Sequence, residues 1–339
     1  MEKNTVTPSI ISKAEKFVVT RKAAEFEIDG SGPIESTFTL FRDDPEPSIY
    51  SIFHETKYEY EEEVSKSKHL YRLQPLHDIT QSVLSYELLS SSEGIFHNFT
   101  GVFGNNASIL NILDPYSELT IRSTSIVALS EPKVASIHGH EDKLMIPLIW
   151  MPWDRIMMQA YLLPQELPES ELLELSEYAM SFVARNEKNM CAILNDINTT
   201  IYKEYKYVPQ STTLSTTPFE VFVSKMGVCQ DFSNLFICLC RLLSVPARYR
   251  VGYLYTGGEY DALRVADQTH AWVEVYLPNL GWMGFDPTNG CLAGKSHIRV
   301  ACGRYYRDAT PTSGVVYADN KVHFKETLST SVKVIKLSP

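Results

Sequence analysis

Apolar side chains recur at helical spacing in three stretches of the second half of the chain. The first stretch follows Pro164, and a second helix is predicted from Glu187 to about Tyr202. The third begins at or near Cys229 and is stopped by Pro246. Its apolar positions repeat every three or four residues, the pattern of an amphipathic helix with one buried face. These positions are Phe232, Leu235, Phe236, Leu239, Leu242 and Leu243.

A different pattern, of short apolar runs between turn signals, occupies the chain from about residue 48 to residue 165. Gly104-Asn105-Asn106 is one such signal and predicts a hairpin turn between two strands. Regular short strands of this kind predict a β-sandwich. Residues 1–47 contain Gly- and Pro-rich breaks, and we expect an irregular extension there.

Strand patterns return after the third helix, at residues 249–255, 270–277 and 281–286. Helices followed by an antiparallel sheet make the second half of the chain an α+β domain. The sequence therefore predicts three parts, which are an extension (1–47), a β-sandwich-like domain (48–165) and an α+β core (166–339).

Composition and charge narrow the functional classes. The chain has 339 residues, is 44% hydrophobic and carries a net charge of -10, without the basic excess typical of nucleic-acid-binding proteins. It begins without the apolar run of a signal peptide, and no apolar stretch of about 18 residues follows. We therefore expect a cytoplasmic protein with no membrane and no nucleic-acid partner. The six cysteines match neither a disulfide framework nor a metal site, so no metal and no cofactor is predicted.

Three residues carry candidate chemistry. Cys229 lies at the predicted start of the third helix, where unpaired backbone N–H groups and the helix dipole favour a thiolate. His270 begins one predicted strand and Asp286 ends the next, which offers a histidine base and a carboxylate to orient it. Taken singly, each residue also has a structural interpretation, as a buried thiol, a core histidine and a turn carboxylate.

The hairpin that joins the last two strands sets a geometric condition. With a regular four-residue loop at residues 278–281, His270 and Asp286 would point to opposite faces of the sheet. An odd-length loop or a β-bulge would place both side chains on one face. We predict one of these two arrangements, because a catalytic triad requires it.

The segments around these residues resemble the transglutaminase-like superfamily, and in particular its bacterial cysteine-protease-like members. The resemblance covers roughly residues 50–335, and its joint set of motifs is highly specific. In the second half it rests on residues 227–232 (Gly-Val-Cys-Gln-Asp-Phe), 246–249, 270–275, 281–282, 285–289 and 297–304. In the β-rich half it rests on residues 70–75 and 102–105.

The resemblance implies a papain-like core in which Cys229 is the nucleophile, His270 the base and Asp286 the orienting group. The implied chemistry is acyl transfer at an amide, in which the thiol attacks the carbonyl, an amine leaves and a thioester remains. The backbone N–H of Cys229 is the natural first donor to the oxyanion. Thr213 and Ser215 are the candidates for the second donor.

The chain departs from the superfamily at several positions outside the triad. Animal members carry a tryptophan upstream of the cysteine that serves the oxyanion, and this chain has none between Trp153 and Cys229. Asn234 stands where the bacterial members usually have a histidine-like residue, and Tyr305 where they usually have an aspartate. We expect the substrate to contact Gln230, Trp272 and Asn234.

Three functions remain open on the sequence. The first is a thiol-dependent hydrolase of peptide or side-chain amides, the second is a transglutaminase that uses an amine acceptor, and the third is a catalytically silent binding module. The intact set of Cys229, His270 and Asp286 argues against the third. Hydrolysis of a protein or peptide substrate is preferred, because the absent tryptophan and the predicted cytoplasmic location both argue against extracellular crosslinking. The sequence does not decide the oligomeric state or the role of the β domain.

Overall fold

The structure is a computed structural model that describes residues 18–19, 47–130, 144–257, 269–318 and 325–337. The extension predicted for residues 1–47 lies outside these ranges apart from residues 18–19 and 47. The strands are β1 (Val18–Val19), β2 (Ser48–Val64), β3 (Lys66–Tyr71), β4 (Gln81–Ser90), β5 (Ile95–Thr100), β6 (Asn106–Ile112), β7 (Tyr116–Leu129), β8 (Lys206–Tyr207), β9 (Met226–Gly227), β10 (Ala247–Leu254), β11 (His270–Leu277), β12 (Gly281–Asp286), β13 (Cys291–Leu292), β14 (His297–Gly303), β15 (Thr312–Tyr317) and β16 (Glu326–Leu337). The helices are α1 (Pro152–Met157), α2 (Gln159–Leu162), α3 (Glu169–Arg185), α4 (Met190–Glu204), α5 (Pro218–Ser224), α6 (Cys229–Leu242) and α7 (Tyr306–Ala309).

The β-rich half consists of two antiparallel sheets, with strand orders β1-β4-β7-β2-β16 and β15-β3-β6-β5. Buried side chains alternate along β2 and β7, because one face of each strand is turned toward the other sheet. Both sheets contribute to one apolar core, which includes Tyr58, Leu119 and Ile121 from the first sheet and Tyr71 and Leu110 from the second. The prediction of a sandwich-like β region is therefore confirmed.

The end of the chain does not follow the predicted division. We assigned residues 166–339 to the α+β core, but β15 pairs with β3 and β16 pairs with β2, so both strands complete the sheets of the β-rich half. A strand pattern in the sequence does not reveal which strand it pairs with, so the sequence does not predict that β15 and β16 join the sheets of the β-rich half. The stretch around residues 150–163, expected to be β, instead forms the short helices α1 and α2.

The α+β core has the three predicted helices packed against a sheet of order β13-β12-β11-β10-β14. The predicted apolar face of α6 is buried, with Phe232, Leu235 and Phe236 fully enclosed. The second predicted helix begins at Met190 rather than Glu187, because Glu187 and Lys188 adopt positive φ angles of 50° and 64°. The side chain of Asn189 caps the helix by accepting a hydrogen bond from the N–H of residue 192.

Side-chain amides join the β-rich half to the outer edge of β14. The Gln81 side chain donates to the carbonyl of Arg299 and accepts from its N–H, at 2.8 Å each. Asn105 makes the same pair of bonds to Cys302, at 2.6 and 2.8 Å. Because these amides pair with the backbone as a neighbouring strand would, they satisfy the open edge of β14 and fix its position against the sandwich.

Candidate active site

The β11–β12 hairpin meets the geometric condition set by the sequence. Leu277 pairs with Gly281, so the loop consists of the three residues 278–280. Continuing this register places Asp286 opposite residue 272, whose side chain has the same direction as that of His270. The prediction of either an odd-length loop or a β-bulge is confirmed by the odd-length loop, and the histidine and the carboxylate lie on one face of the sheet.

Cys229 is the first residue of α6 and is half-buried. The turn before it is held by Asp231, whose Oδ2 accepts from the N–H of Val228 at 2.8 Å and from the hydroxyl of Thr212 at 2.6 Å. A Cβ on Gly227 would lie 2.8 Å from the Cβ of Asp231, so only glycine fits this approach. The local sequence thus fixes the thiol at a helix N-terminus, where the helix dipole favours a thiolate.

Asp286 is fully buried and accepts five hydrogen bonds. Its Oδ2 accepts from Nε2 of His270 at 2.8 Å, from Nε2 of His297 at 3.2 Å and from Nδ2 of Asn289 at 2.8 Å. Its Oδ1 accepts from the backbone N–H groups of Thr288 and Asn289, at 3.0 and 3.2 Å. The carboxylate is therefore held in one orientation and has donors on both of its oxygens.

The electrostatics of the buried pair favour charge on both partners. Burial by itself would lower the pKa of His270, but the Asp286 carboxylate outweighs burial and raises that pKa to about 10. Burial likewise would raise the pKa of Asp286, and His270 and the other donors instead hold that pKa far below its usual range. His270 therefore carries a positive charge at neutral pH, and the carboxylate beside it stabilises that charge.

The second ring nitrogen of His270 is the one available for proton exchange. Nε2 is occupied by Asp286, whereas Nδ1 is buried and has no hydrogen-bond partner of good geometry among the described residues. The Cys229 thiol interacts with the His270 ring and contributes to its raised pKa. Nδ1 is therefore the nitrogen left to take a proton from the thiol and to return it.

His297 is the first residue of β14 and belongs to a segment, residues 297–304, whose sequence resembles the superfamily. The sequence predicts no role for it. The structure brings it to the same carboxylate oxygen that His270 contacts. One ring nitrogen of each histidine and one carboxylate oxygen of Asp286 lie within 4.8 Å of one another, a spacing that metal ligands also have. Hydrogen bonds to Asp286 account for the spacing of both histidines. The sequence pattern does not place β14 at this site, because β14 pairs with a distant strand. His297 lies opposite Leu254 of β10, which is 43 positions earlier in the chain.

Of the three residues expected to contact the substrate, two line one cavity. Gln230 and Asn234, one turn apart on α6, border a cavity of about 280 Å³ together with Ser215 and Tyr306. Trp272 does not border it, and the expectation for that residue is corrected. Its ring is 1% exposed, because it stacks on His270 at 6.0 Å and meets His297 edge-on at 5.2 Å. Trp272 therefore packs behind the histidines.

The two candidates for the second oxyanion donor lie in one exposed loop. The N–H of Thr213 donates to the hydroxyl oxygen of Thr216 at 2.9 Å, and the Thr213 hydroxyl lies 2.8 Å from that of Ser215. Ser215 also borders the cavity beside Gln230. Within the described ranges, no hydrogen bond joins either residue to Cys229, and their role stays a prediction.

The fold and the site define a protein with a thiol, a histidine and a carboxylate on a papain-like α+β core, preceded by a β-sandwich-like region. Sequence models of two families match the chain: the transglutaminase-like superfamily at residues 177–287 and the bacterial transglutaminase-like N-terminal region at residues 50–128. The chain belongs to the transglutaminase-like superfamily.

Relatives and solved structures agree with this assignment. The uncharacterized proteins Mb2599c of Mycobacterium bovis and Rv2569c of Mycobacterium tuberculosis are each 30% identical over 289 residues, covering 80% of this chain and 88% of the relative. A candidate cysteine protease from Cytophaga hutchinsonii has a similar structure, with a TM-score of 0.70 over 87% of this chain and 93% of that chain. Its sequence is 22% identical, so the likeness is one of fold.

None of the helices in the described part of the chain is both long enough and apolar enough to cross a membrane. The cytoplasmic location stays a prediction.

Proposed function

We propose that the protein is a thiol-dependent amide hydrolase that works by acyl transfer through a thioester on Cys229. The observation that carries the proposal is the arrangement of His270, whose Nε2 is held by Asp286 at 2.8 Å while Nδ1 is left for the thiol. In this role Cys229 is the nucleophile, His270 the general base and acid, and Asp286 the group that orients the ring.

The reaction follows from these positions. Because its pKa is raised, His270 already holds on Nδ1 the proton that the Cys229 thiol gives up, and the thiolate sulfur forms a bond to the amide carbonyl carbon. The C–N bond then breaks, and the leaving amine departs with that proton, which leaves His270 neutral. Water next attacks the thioester and gives its proton to Nδ1 of His270, a carboxylic acid is released, and the thiolate and the charged histidine are restored. Asp286 stays ionised throughout and stabilises the imidazolium that forms in each half of the reaction.

The oxyanion and the substrate would be bound near the start of α6. The backbone N–H of Cys229 is unpaired within the helix because it is the first residue, so it is available to donate to the oxyanion. The Oδ1 of Asn234 is buried and has no hydrogen-bond partner among the described residues. An amide N–H of a peptide substrate in the neighbouring cavity would satisfy this acceptor, and Gln230 lines the same wall.

A transglutaminase is the second candidate, in which a primary amine takes the place of water. The observation that favours it is a short match to the protein-glutamine gamma-glutamyltransferase of Pseudomonas aeruginosa, 31% identical over 88 residues and 25% of this chain. The match covers 13% of that protein. A silent binding module is disfavoured, because the geometry at Cys229, His270 and Asp286 has no missing member.

The experiment that tests the proposal measures amine release from peptide amides and glutamine-containing peptides, with and without an added primary amine. We expect release by the wild type without the added amine, and a fall of at least about 10³-fold in Cys229→Ala. Cys291→Ser is the matched control, because Cys291 is an exposed thiol outside the proposed triad. Release that requires the added amine would favour the transglutaminase. A Cys229→Ala variant as active as wild type would refute both enzymes.

A further inference from the structure

We propose that His297 is a positioning residue, which holds the Asp286 carboxylate in the orientation that His270 needs. This inference rests on the proposed function. His297 touches neither the thiol nor the cavity beside it in the described contacts, so its effect would pass through Asp286. The hydrogen bond between Nε2 of His297 and Oδ2 of Asp286, 3.2 Å long, makes the connection.

The backbone fixes which nitrogen of His297 carries the proton. The N–H of Gly294 donates to Nδ1 of His297 at 3.3 Å, so that nitrogen is an acceptor. In the neutral ring the proton must then be on Nε2, which donates it to Asp286. The ring is 3% exposed, and burial lowers the pKa of His297, which keeps it neutral near pH 7. His297 is thus a neutral donor of fixed direction.

The oxygen that receives this donation is the one that contacts His270. Oδ2 of Asp286 accepts from both histidines, and Oδ1 is bound by two backbone N–H groups. Without the His297 donor, the carboxylate would keep its Oδ1 contacts but lose one restraint on Oδ2. His270 would then be held in a less defined orientation, and its imidazolium would be less well stabilised.

The surroundings hold His297 in place. Trp272 packs edge-on against its ring at 5.2 Å. Two residues further along β14, Arg299 is bound through its backbone to Gln81 and through its side chain to Asp78, at 2.9 and 3.0 Å. The β-rich half therefore fixes the strand that carries His297. The titratable and charged groups that act on its ring are Asp286, His270 and Arg299.

The test compares two amide substitutions in the full-length protein. In His297→Gln the longer side chain reaches Asp286 with an N–H group, whereas in His297→Asn the shorter one does not. His297→Phe keeps the ring against Trp272 and removes both nitrogens, which covers the case in which His297→Asn does not fold. The readouts are kcat for amide hydrolysis and the pH dependence of alkylation of Cys229 by iodoacetamide, with thermal unfolding as a check on folding.

We expect kcat to fall about 10-fold in His297→Asn and His297→Phe, the size of one hydrogen bond to a charged group, and to stay within about 3-fold of wild type in His297→Gln. The pH at which the alkylation rate of Cys229 begins to rise should be higher in His297→Asn and His297→Phe than in the wild type, and unchanged in His297→Gln. If His297→Asn and His297→Phe have the kcat of the wild type, or if His297→Gln loses as much kcat as they do, the positioning role is wrong and the proposed function stands. If Cys229 in the wild type reacts like a free thiol, the proposed function itself falls, and the role of His297 with it.

Discussion

Two clusters of ionisable side chains each include one residue of β11, His270 in the first and Glu274 in the second. The histidine cluster consists of Cys229, His270, Asp286 and His297. The arginine cluster consists of Arg248, Arg250 and Glu274, in which Oε2 of Glu274 accepts from Nε of Arg248 at 2.7 Å and from a terminal nitrogen of Arg250 at 2.6 Å. Each cluster centres on one buried carboxylate that accepts from two basic side chains. The two arginines lie on β10, next to the strand that carries Glu274, whereas His270 lies on β11 and His297 on β14.

The two clusters differ in whether their basic side chains can gain and lose a proton. A guanidinium does not lose its proton in a protein, so the charges of the arginine cluster are fixed. Burial opposes ionisation of Glu274, and the two arginines overcome it and lower its pKa to about 2. In the histidine cluster one ring nitrogen is left without a partner of good geometry, and the ring accepts a proton at that position. The arginine cluster can therefore stabilise the fold, whereas the histidine cluster can also move a proton.

The largest expected effect in this comparison is on Asp286. In Asp286→Asn one acceptor oxygen becomes an NH2 group, which faces some of the five donors that Asp286 accepts from, so His270 is held in the wrong tautomer. We expect amide hydrolysis to fall about 10³-fold, while the folded protein persists. Activity assays with circular dichroism measure both. An active Asp286→Asn variant would show that the carboxylate does not orient the base.

The arginine cluster should behave in the opposite way. Glu274→Gln leaves two arginines without a counter-charge, and Arg250 is only 4% exposed, so we expect a loss of about 3 kcal/mol of unfolding free energy. Hydrolysis per folded molecule should be unchanged. The matched control is Glu55→Gln, which breaks the half-exposed pair between Glu55 and Arg122 and should cost less than about 1 kcal/mol. Equal losses from both substitutions would contradict the assigned difference in burial.

The two clusters should also lose stability at opposite ends of the pH range. The pKa of His270 is raised from 6.5 to about 10, so its contribution is fully present below pH 6.5 and is lost as pH rises through 10. The pKa of Glu274 is lowered from 4.5 to about 2, so its contribution is present above pH 4.5 and is lost as pH falls through 2.

Denaturant titrations of wild type, His270→Gln and Glu274→Gln at pH 3, 7 and 10 would test these directions. The gap in unfolding free energy between wild type and His270→Gln should narrow toward pH 10 by at least about 1.4 kcal/mol, the equivalent of one pKa unit. The gap for Glu274→Gln should narrow toward pH 3 instead. Gaps that do not change with pH would mean that neither group has the shifted pKa assigned to it.

Local patterns in the sequence predicted the helix and the two strands that carry Cys229, His270 and Asp286. The apolar repeat of α6 depends on neighbouring residues, so the start of the helix at Cys229 follows from it. The turn before β12 left the loop length open, and a common face for His270 and Asp286 was expected only because the proposed chemistry requires it. Long-range pairing was not accessible in the same way. The return of β15 and β16 to the sandwich and the approach of His297 to Asp286 depend on strand partners far apart in the chain.

Trp272 illustrates a further limit of pattern analysis. We expected Trp272 to contact the substrate, and the alternation of the strand does put its ring on the same face as that of His270. The ring is instead covered by His297, which lies on a strand far along the chain. No local pattern reveals this long-range contact, so the sequence did not show that Trp272 is buried.

The most direct test of the central claim is the rate of alkylation of individual cysteines by iodoacetamide as a function of pH, followed by mass spectrometry of the tryptic peptides. The reference is a free cysteine thiol in an unstructured peptide, whose pKa is about 8.5. We predict that Cys229 in the wild type reacts at pH 6 at least about 10-fold faster than this free thiol, and that His270→Ala removes the advantage. Equal rates at Cys229 and the free thiol, or an advantage that survives in His270→Ala, would contradict a thiol activated by His270.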